Sequence, residues 1–214
     1  MSHTMTALSA ALPLMSGWSV HSLWMRRRIE AARRDPLTDL WTRDPFEERA
    51  RKSLSGGSQR AVLVLDLNRF KEINDTLGHA AGDAVIRETG QRLGRWAEEH
   101  AGIAGRLGGD EFAIVIPGYG IDKLRVDLFM LTGRIGQPVP FEGRPIEVHA
   151  SIGAAYHRAG TGDLSLLLRR ADEQMYKAKQ VGGGWRIAHR LTVPAMSTVN
   201  GRRDGRRGTS GKAA

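Results

Sequence analysis

Two carboxylates stand side by side in RLGGDEFAIVI, residues 106–116, where Asp110 and Glu111 follow a glycine pair and precede a strand-forming run. A Gly-Gly pair between apolar segments predicts a tight hairpin, because glycine takes the positive φ that such turns demand without steric cost. Adjacent like charges repel and resist desolvation, so they need open solvent or a cation to face. A third acid, Asp66, lies near the end of the apolar run AVLVLDL, residues 61–67, where an unpartnered charge is costly to bury. Acids on neighbouring strands suit magnesium, which takes a few carboxylates together with substrate phosphate oxygens and can serve phosphoryl or nucleotidyl transfer. From these residues alone a solvated turn and a metal site both remain open.

The elements that would position the acids read as mixed α and β. Residues 61–67 predict a buried strand, and IAGRL and FAIVI predict the two arms of a hairpin around the GGDE turn. Val85, Thr89, Leu93 and Trp96 fall on one face of a helix from about Ala81 to Glu99. Leu124, Leu128, Leu131 and Ile135 mark a second helix, and Leu164, Leu167, Leu168, Ala171 and Met175 a third. PIEVHASIG alternates Ile146, Val148, Ala150 and Ile152 as one half-buried strand paired with the residues before Glu142-Gly143, and Trp185 to Ile187 predicts a terminal strand.

At 214 residues, 41% hydrophobic and 26% charged, the chain suits one globular domain with tails. It has no cysteine, which excludes disulfides, zinc-thiolate sites and thiol catalysis. The net charge of +9 invites a nucleic-acid partner, but its location argues against one. Residues 1–34 hold five Arg against one Glu, and 188–214 hold five Arg and one Lys against one Asp, which accounts for the whole excess. From Met5 to Met25 there is no Asp, Glu, Lys or Arg, and Arg26, Arg27 and Arg28 follow at once. That pattern predicts a membrane anchor within residues 1–25 with its C-terminal side in the cytoplasm, flanked by Trp18 and Trp24, although Pro13, Gly17 and His21 make it only moderately apolar. Residues 26–34 read as a basic linker helix, and 191–214, ending GRRDGRRGTSGKAA, as a disordered basic tail.

Five ordered motifs between Asp35 and about Ile187 carry a family resemblance: DPLT at 35–38, LDLNRFKEINDTLGHAAGDAVI at 65–86, RLGGDEF at 106–112, SIG at 151–153 and ADEQMYKAK at 171–179. The chain resembles a GGDEF-family diguanylate cyclase over 35–190. The resemblance implies an α+β fold related to polymerase palms and nucleotide cyclases, with a central five-stranded, mostly antiparallel sheet flanked by helices. It also implies condensation of two GTP to cyclic di-GMP and two pyrophosphates at a homodimer interface, with two Mg²⁺ (or Mn²⁺) per active site. In that reading Asp66, Asp110 and Glu111 are catalytic, and they form the metal site with the Leu67 carbonyl. Asn74 and Asp83 read the guanine, in a loop bracketed by Gly78 and Gly82. The backbone at Phe70 and Lys71 approaches the phosphates, Lys179 binds the triphosphate, and Gly108 and Gly109 are substrate-binding positions. The catalytic domain would be cytoplasmic, held at the inner face of the membrane by one N-terminal helix.

Some positions depart from the family pattern. Asp39-Leu40-Trp41-Thr42-Arg43 keeps only Leu and Arg of the usual Gly-Leu-Pro-Asn-Arg. Four residues after Lys179, where a basic side chain usually assists with the triphosphate, stands Gly183, which only Arg186 could replace if the glycine run curls. The family's inhibitory Arg-x-x-Asp aligns with Glu99-His100-Ala101-Gly102, so product inhibition through that site is not expected. The alternatives are a non-catalytic GTP-binding regulatory or scaffold domain and, less favoured, nucleic-acid binding through the Arg-rich tail.

Overall fold

The computed structural model describes residues 33–157 and 163–188. Its elements run β1 (Trp41–Thr42), α1 (Arg43–Ser55), β2 (Arg60–Leu67), α2 (Phe70–Leu77), α3 (His79–Glu99), β3 (Ile103–Gly108), β4 (Glu111–Pro117), α4 (Ile121–Ile135), β5 (Val139–Phe141), β6 (Arg144–Ile146), β7 (Ala150–His157), α5 (Leu164–Gln180) and β8 (Gly184–Ile187). The main sheet has the order β1-β3-β4-β2-β7-β8, antiparallel except for the outer pairs β1–β3 and β7–β8. It therefore has six strands rather than the expected five, the sixth being the two-residue β1 at the edge.

β2 lies in the middle and is covered on both faces, which explains its unbroken apolar run. Leu63, Leu65 and Leu67 pack with Val85, Leu93 and Trp96 of α3 and Leu124 and Leu128 of α4. Val62 and Val64 pack on the opposite face with Phe46 and Ala50 of α1 and Leu167, Ala171 and Met175 of α5. By the two-residue period of a strand, Asp66 belongs to this second face, beneath α5. The buried Arg92 of α3 fastens the end of α4, donating to the carbonyls of Ile135 and Pro138, each at 3.0 Å, and of Gln137.

Three local expectations change. The stretch read as one strand, PIEVHASIG, divides: β6 pairs with β5 in a separate hairpin through the Glu142-Gly143 turn, whereas β7 joins the main sheet. Ile146, Val148, Ala150 and Ile152 are all buried, so the alternation chose the right face while the hydrogen-bond partners switch between 146 and 150. Helix α1 was not foreseen, although Phe46, Ala50 and Leu54 are buried at helical spacing. Arg33 lies in a turn and Arg34 bridges Trp41, so the helix predicted over 26–34 does not include its last two residues. The predicted anchor, the rest of that helix and the tail lie outside the described residues, and no described helix is long and apolar enough to cross a membrane.

His157, at the end of β7, is buried, and both ring nitrogens lack a hydrogen-bond partner among the described residues. Burial, helped by the charge of Arg60, lowers its pKa from the ordinary 6.5. Arg51 and Asp163 line the same small cavity. A depressed histidine favours the fold above about pH 6.5 and opposes it as pH falls, because the unfolded chain takes up the proton first. His157→Leu is expected to lose less stability than the parent as pH falls from 7.5 to 5.5, the difference opening below about pH 6.5. Denaturant titration of both proteins measures it, and parallel pH profiles would exclude His157 as the cause.

Candidate active site

The acids gather because of strand register. Asp66 of β2 pairs directly with Glu111 of β4 and with Ser151 of β7, which places all three side chains on the α5 face. Asp110 precedes Glu111 in the turn, and its carbonyl accepts from the Leu67 amide at 3.3 Å, tying the turn to the end of β2. Gly108 and Gly109 have φ of 147° and 53°, while a Cβ on either would meet nothing within 4 Å. Their requirement is conformational, as the sequence suggested.

The electrostatics are those of a crowded anionic site. Burial raises the pKa of Asp110, and the neighbouring charges of Asp66 and Glu111 add to it, against opposition from a backbone N–H and from Lys179. Asp66 has only 4% of its side chain exposed, and its Oδ1 accepts from Lys179 Nζ at 2.5 Å. Arg43, at the start of α1, donates to the Leu107 carbonyl at 3.2 Å and approaches Glu111 at 3.9 Å. Among the described residues no group of three or more His, Cys, Asp or Glu side chains is arranged to hold a metal by itself. Hard oxygens from Asp66 and Asp110, in a site that disfavours two bare carboxylates, nevertheless fit an ion such as Mg²⁺ that completes its shell with water and substrate phosphate.

Lys179 reaches Asp66 because α5 lies unusually close to the sheet. A Cβ on Gly153 would fall 1.8 Å from the Ala171 carbonyl oxygen and 2.3 Å from the Met175 nitrogen. Only glycine lets that strand and helix touch. Lys179 then follows Met175 by one helical turn, on the face that meets the sheet. This explains the SIG motif, whose function composition could not reveal.

The turn itself is held from a distance of 71 residues. Arg106 donates through Nη1 to both oxygens of Asp35, at 3.1 and 3.0 Å, and through Nε and Nη2 to the Gly109 carbonyl, at 3.0 and 2.8 Å. Burial opposes ionisation of Asp35, but hydrogen bonds from Thr38 and Arg106, with the Arg106 charge, outweigh it and hold the carboxyl below its usual range. Sequence reading noted both motifs without this bond between them. Trp41, one of the departures, lies within 3.7 Å of the Arg34 guanidinium and 3.6 Å of the Arg49 guanidinium, measured to the ring centre. It makes cation–π contacts where the family pattern has proline.

Asn74 and Asp83 come from two consecutive helices. Asn74 lies on α2 and Asp83 in the first turns of α3, with the exposed Gly78 between the helices. Gly82 is not in a loop: it is a buried residue of α3, and a Cβ there would strike the Asn74 side chain and Phe70. Phe70 and Lys71 open α2, after Arg69 at φ 55°. Gly183 has φ of 124°, and a Cβ would fall 2.6 Å from Asn68 Nδ2. Asn68, another residue the sequence reading missed, also accepts from Ser151 Oγ at 2.7 Å and donates to the Gly182 carbonyl at 3.3 Å. Arg186 pairs with Gly153 in the sheet and lines a cavity with Gln59, Tyr156 and Gln174. Glu99 pairs with Arg134 at 2.9 Å, so an acid engaged in an ion pair stands where the inhibitory motif would have arginine.

Comparison with known proteins agrees with this architecture. The GGDEF domain family of diguanylate cyclases matches residues 32–184. A 19.3 kDa protein of Streptomyces ambofaciens is 43% identical over 169 residues, spanning 78% of this chain and 89% of that one. Diguanylate cyclase TpbB of Pseudomonas aeruginosa is 36% identical over 171 residues, 77% of this chain but only 39% of TpbB. The solved GGDEF domain of TpbB superposes with a TM-score of 0.68 at 34% identity, covering 73% of this chain and 94% of that one. DgcB of Caulobacter crescentus, solved as coiled coil and GGDEF domain in complex with c-di-GMP, gives 0.69 at 26% identity, covering 81% and 97%. The mixed sheet flanked by helices, the glycine-acid turn and these matches together establish that the chain belongs to the GGDEF domain family.

Proposed function

We propose that the chain is a diguanylate cyclase that condenses two GTP into cyclic di-GMP and two pyrophosphates. The observation that carries this reading is the buried Asp66, set beside Asp110 at the glycine turn and matched by a lysine from α5. Asp66 and Asp110, with Glu111 and the Leu67 carbonyl, would hold two Mg²⁺ or Mn²⁺. Such ions lower the pKa of an attacking hydroxyl and neutralise a departing pyrophosphate.

The protein groups divide the remaining work. Asp83 accepts from the N1–H and N2–H₂ of guanine, donors that adenine lacks, while Asn74 both donates and accepts. The amides of Phe70 and Lys71, at the start of α2, approach the phosphates, and Gly108 and Gly109 leave the turn open to substrate. Lys179 contacts the triphosphate. Each protomer binds one GTP, so two protomers must face each other for each 3′-hydroxyl to reach the other's α-phosphate, and a monomer is inactive. Residues 1–25 attach the domain to the inner face of the membrane.

One observation favours a second reading, a GTP-binding regulatory or scaffold domain without turnover. Gly183 leaves the triphosphate one cation short, and Asn68 occupies the space a side chain there would need. Incubating purified protein with GTP and Mg²⁺ and identifying the nucleotide product separates the two readings. Under the cyclase reading, Asp66→Asn and Asp110→Asn each lower turnover by at least ~10²-fold, the scale of losing one major electrostatic stabiliser. Near-normal turnover in either variant would remove the metal assignment. Asp83→Ala weakens GTP binding by about 1.5–3 kcal/mol and narrows the preference over ATP, measured by competition. An unchanged preference would make Asp83 structural. Full-length protein sediments with membranes whereas a chain starting at Arg26 stays in the supernatant; recovery of the full-length protein in the supernatant would refute the anchor.

A further inference from the structure

Lys179 has an electrostatic partner that a triphosphate ligand would not predict. Its Nζ lies 2.5 Å from Asp66 Oδ1, and 43% of the lysine side chain is exposed against 4% of the aspartate's. The exposed end of this pair can leave while the buried end cannot. A carboxylate buried to that degree without a counter-charge is strongly destabilising. The lysine therefore supplies the positive charge that a divalent ion would bring.

The surroundings fix which part moves. Helix α5 is clamped to β7 by the backbone contact at Gly153, so its last turn stays against the sheet. The lysine stem has four rotatable bonds and ends beside solvent, so its ammonium can swing away while the helix remains in place. Asp66 is held by β4 and β7 on either side and has no comparable freedom.

We infer that Lys179 is a built-in counter-ion that competes with the divalent metal for Asp66, so that metal binding releases the ammonium toward the substrate phosphates. The inference rests on the proposed metal site and adds an order of events: the same lysine weakens metal binding before nucleotide arrives and strengthens nucleotide binding afterwards. A cation at Asp66 repels an incoming divalent ion over a few ångströms in a partly desolvated setting, so its removal favours metal uptake.

The test measures Mn²⁺ binding to nucleotide-free protein by the loss of the free-ion paramagnetic resonance signal. Lys179→Met is expected to bind Mn²⁺ at least ~10-fold more tightly than the parent, the scale of a single-charge change near a buried acid. Lys179→Arg, which keeps the charge, stays close to the parent, and Lys179→Gln replaces the methionine variant should that fail to fold. Asp66→Asn abolishes binding in every background. Tight binding by Lys179→Met that requires Asp66 supports the competition even where the parent binds too weakly to measure. Asp66-dependent binding that is no tighter in Lys179→Met overturns the competition while leaving the metal site standing. Absence of Asp66-dependent binding in both parent and Lys179→Met removes the metal site itself, and the competition with it.

Discussion

A buried carboxylate, Asp66, stands at the end of an apolar strand face. On the face of the sheet shared by α1 and α5, β2 presents Val62 and Val64 and then Asp66, whose neighbours across the strands are Glu111 and Ser151. A solitary buried carboxylate is destabilising by several kcal/mol unless it is matched, so the position constrains what may surround it. Its match comes from α5, and α5 can supply it only because Gly153 lets the helix backbone rest on the strand. The close packing of one helix and the polarity of the site are thus one requirement.

The second constraint is shape. A turn with two glycines in positive φ is flexible unless something holds it, and Arg106 does so by spanning from the Gly109 carbonyl to Asp35. Asp35 is fixed in turn by the N–H and hydroxyl of Thr38, at 2.9 and 2.7 Å. The segment that enters the domain is bound to the same assembly: Arg34 stacks on Trp41, and Thr42 pairs with Arg106 in the sheet. The start of the domain and its acidic turn are therefore mechanically adjacent although far apart in sequence.

Much of this was legible in the chain and some was not, for physical reasons. Strands β2, β3 and β4 could be read because their short apolar runs and the glycine pair are local signals, and α3 because Val85, Leu93 and Trp96 repeat at helical spacing. The meeting of Asp66 with Asp110 could be anticipated from strand order. Gly153 could not, since its role is to lack a side chain where a helix passes, and nothing in its neighbours announces a helix that begins eleven residues later. The division of 144–157 between two sheets was hidden because burial alternates through the switch, and alternation reports a face and not a partner. The Arg106–Asp35 bond joins two recognised motifs but depends on a fold that brings them together.

Asn68 and Gly183 interlock, and this sets an order on sequence change. With Asn68 Nδ2 only 2.6 Å from where a Cβ at 183 would stand, and φ there at 124°, a side chain at 183 meets both a collision and an unfavourable backbone. Replacing Gly183 first is therefore penalised, whereas shortening Asn68 first costs its bonds to Ser151 and Gly182 but clears the space. The two positions are coupled: a side chain at 183 is tolerated better once residue 68 has been shortened, and the effect of each substitution depends on which came before.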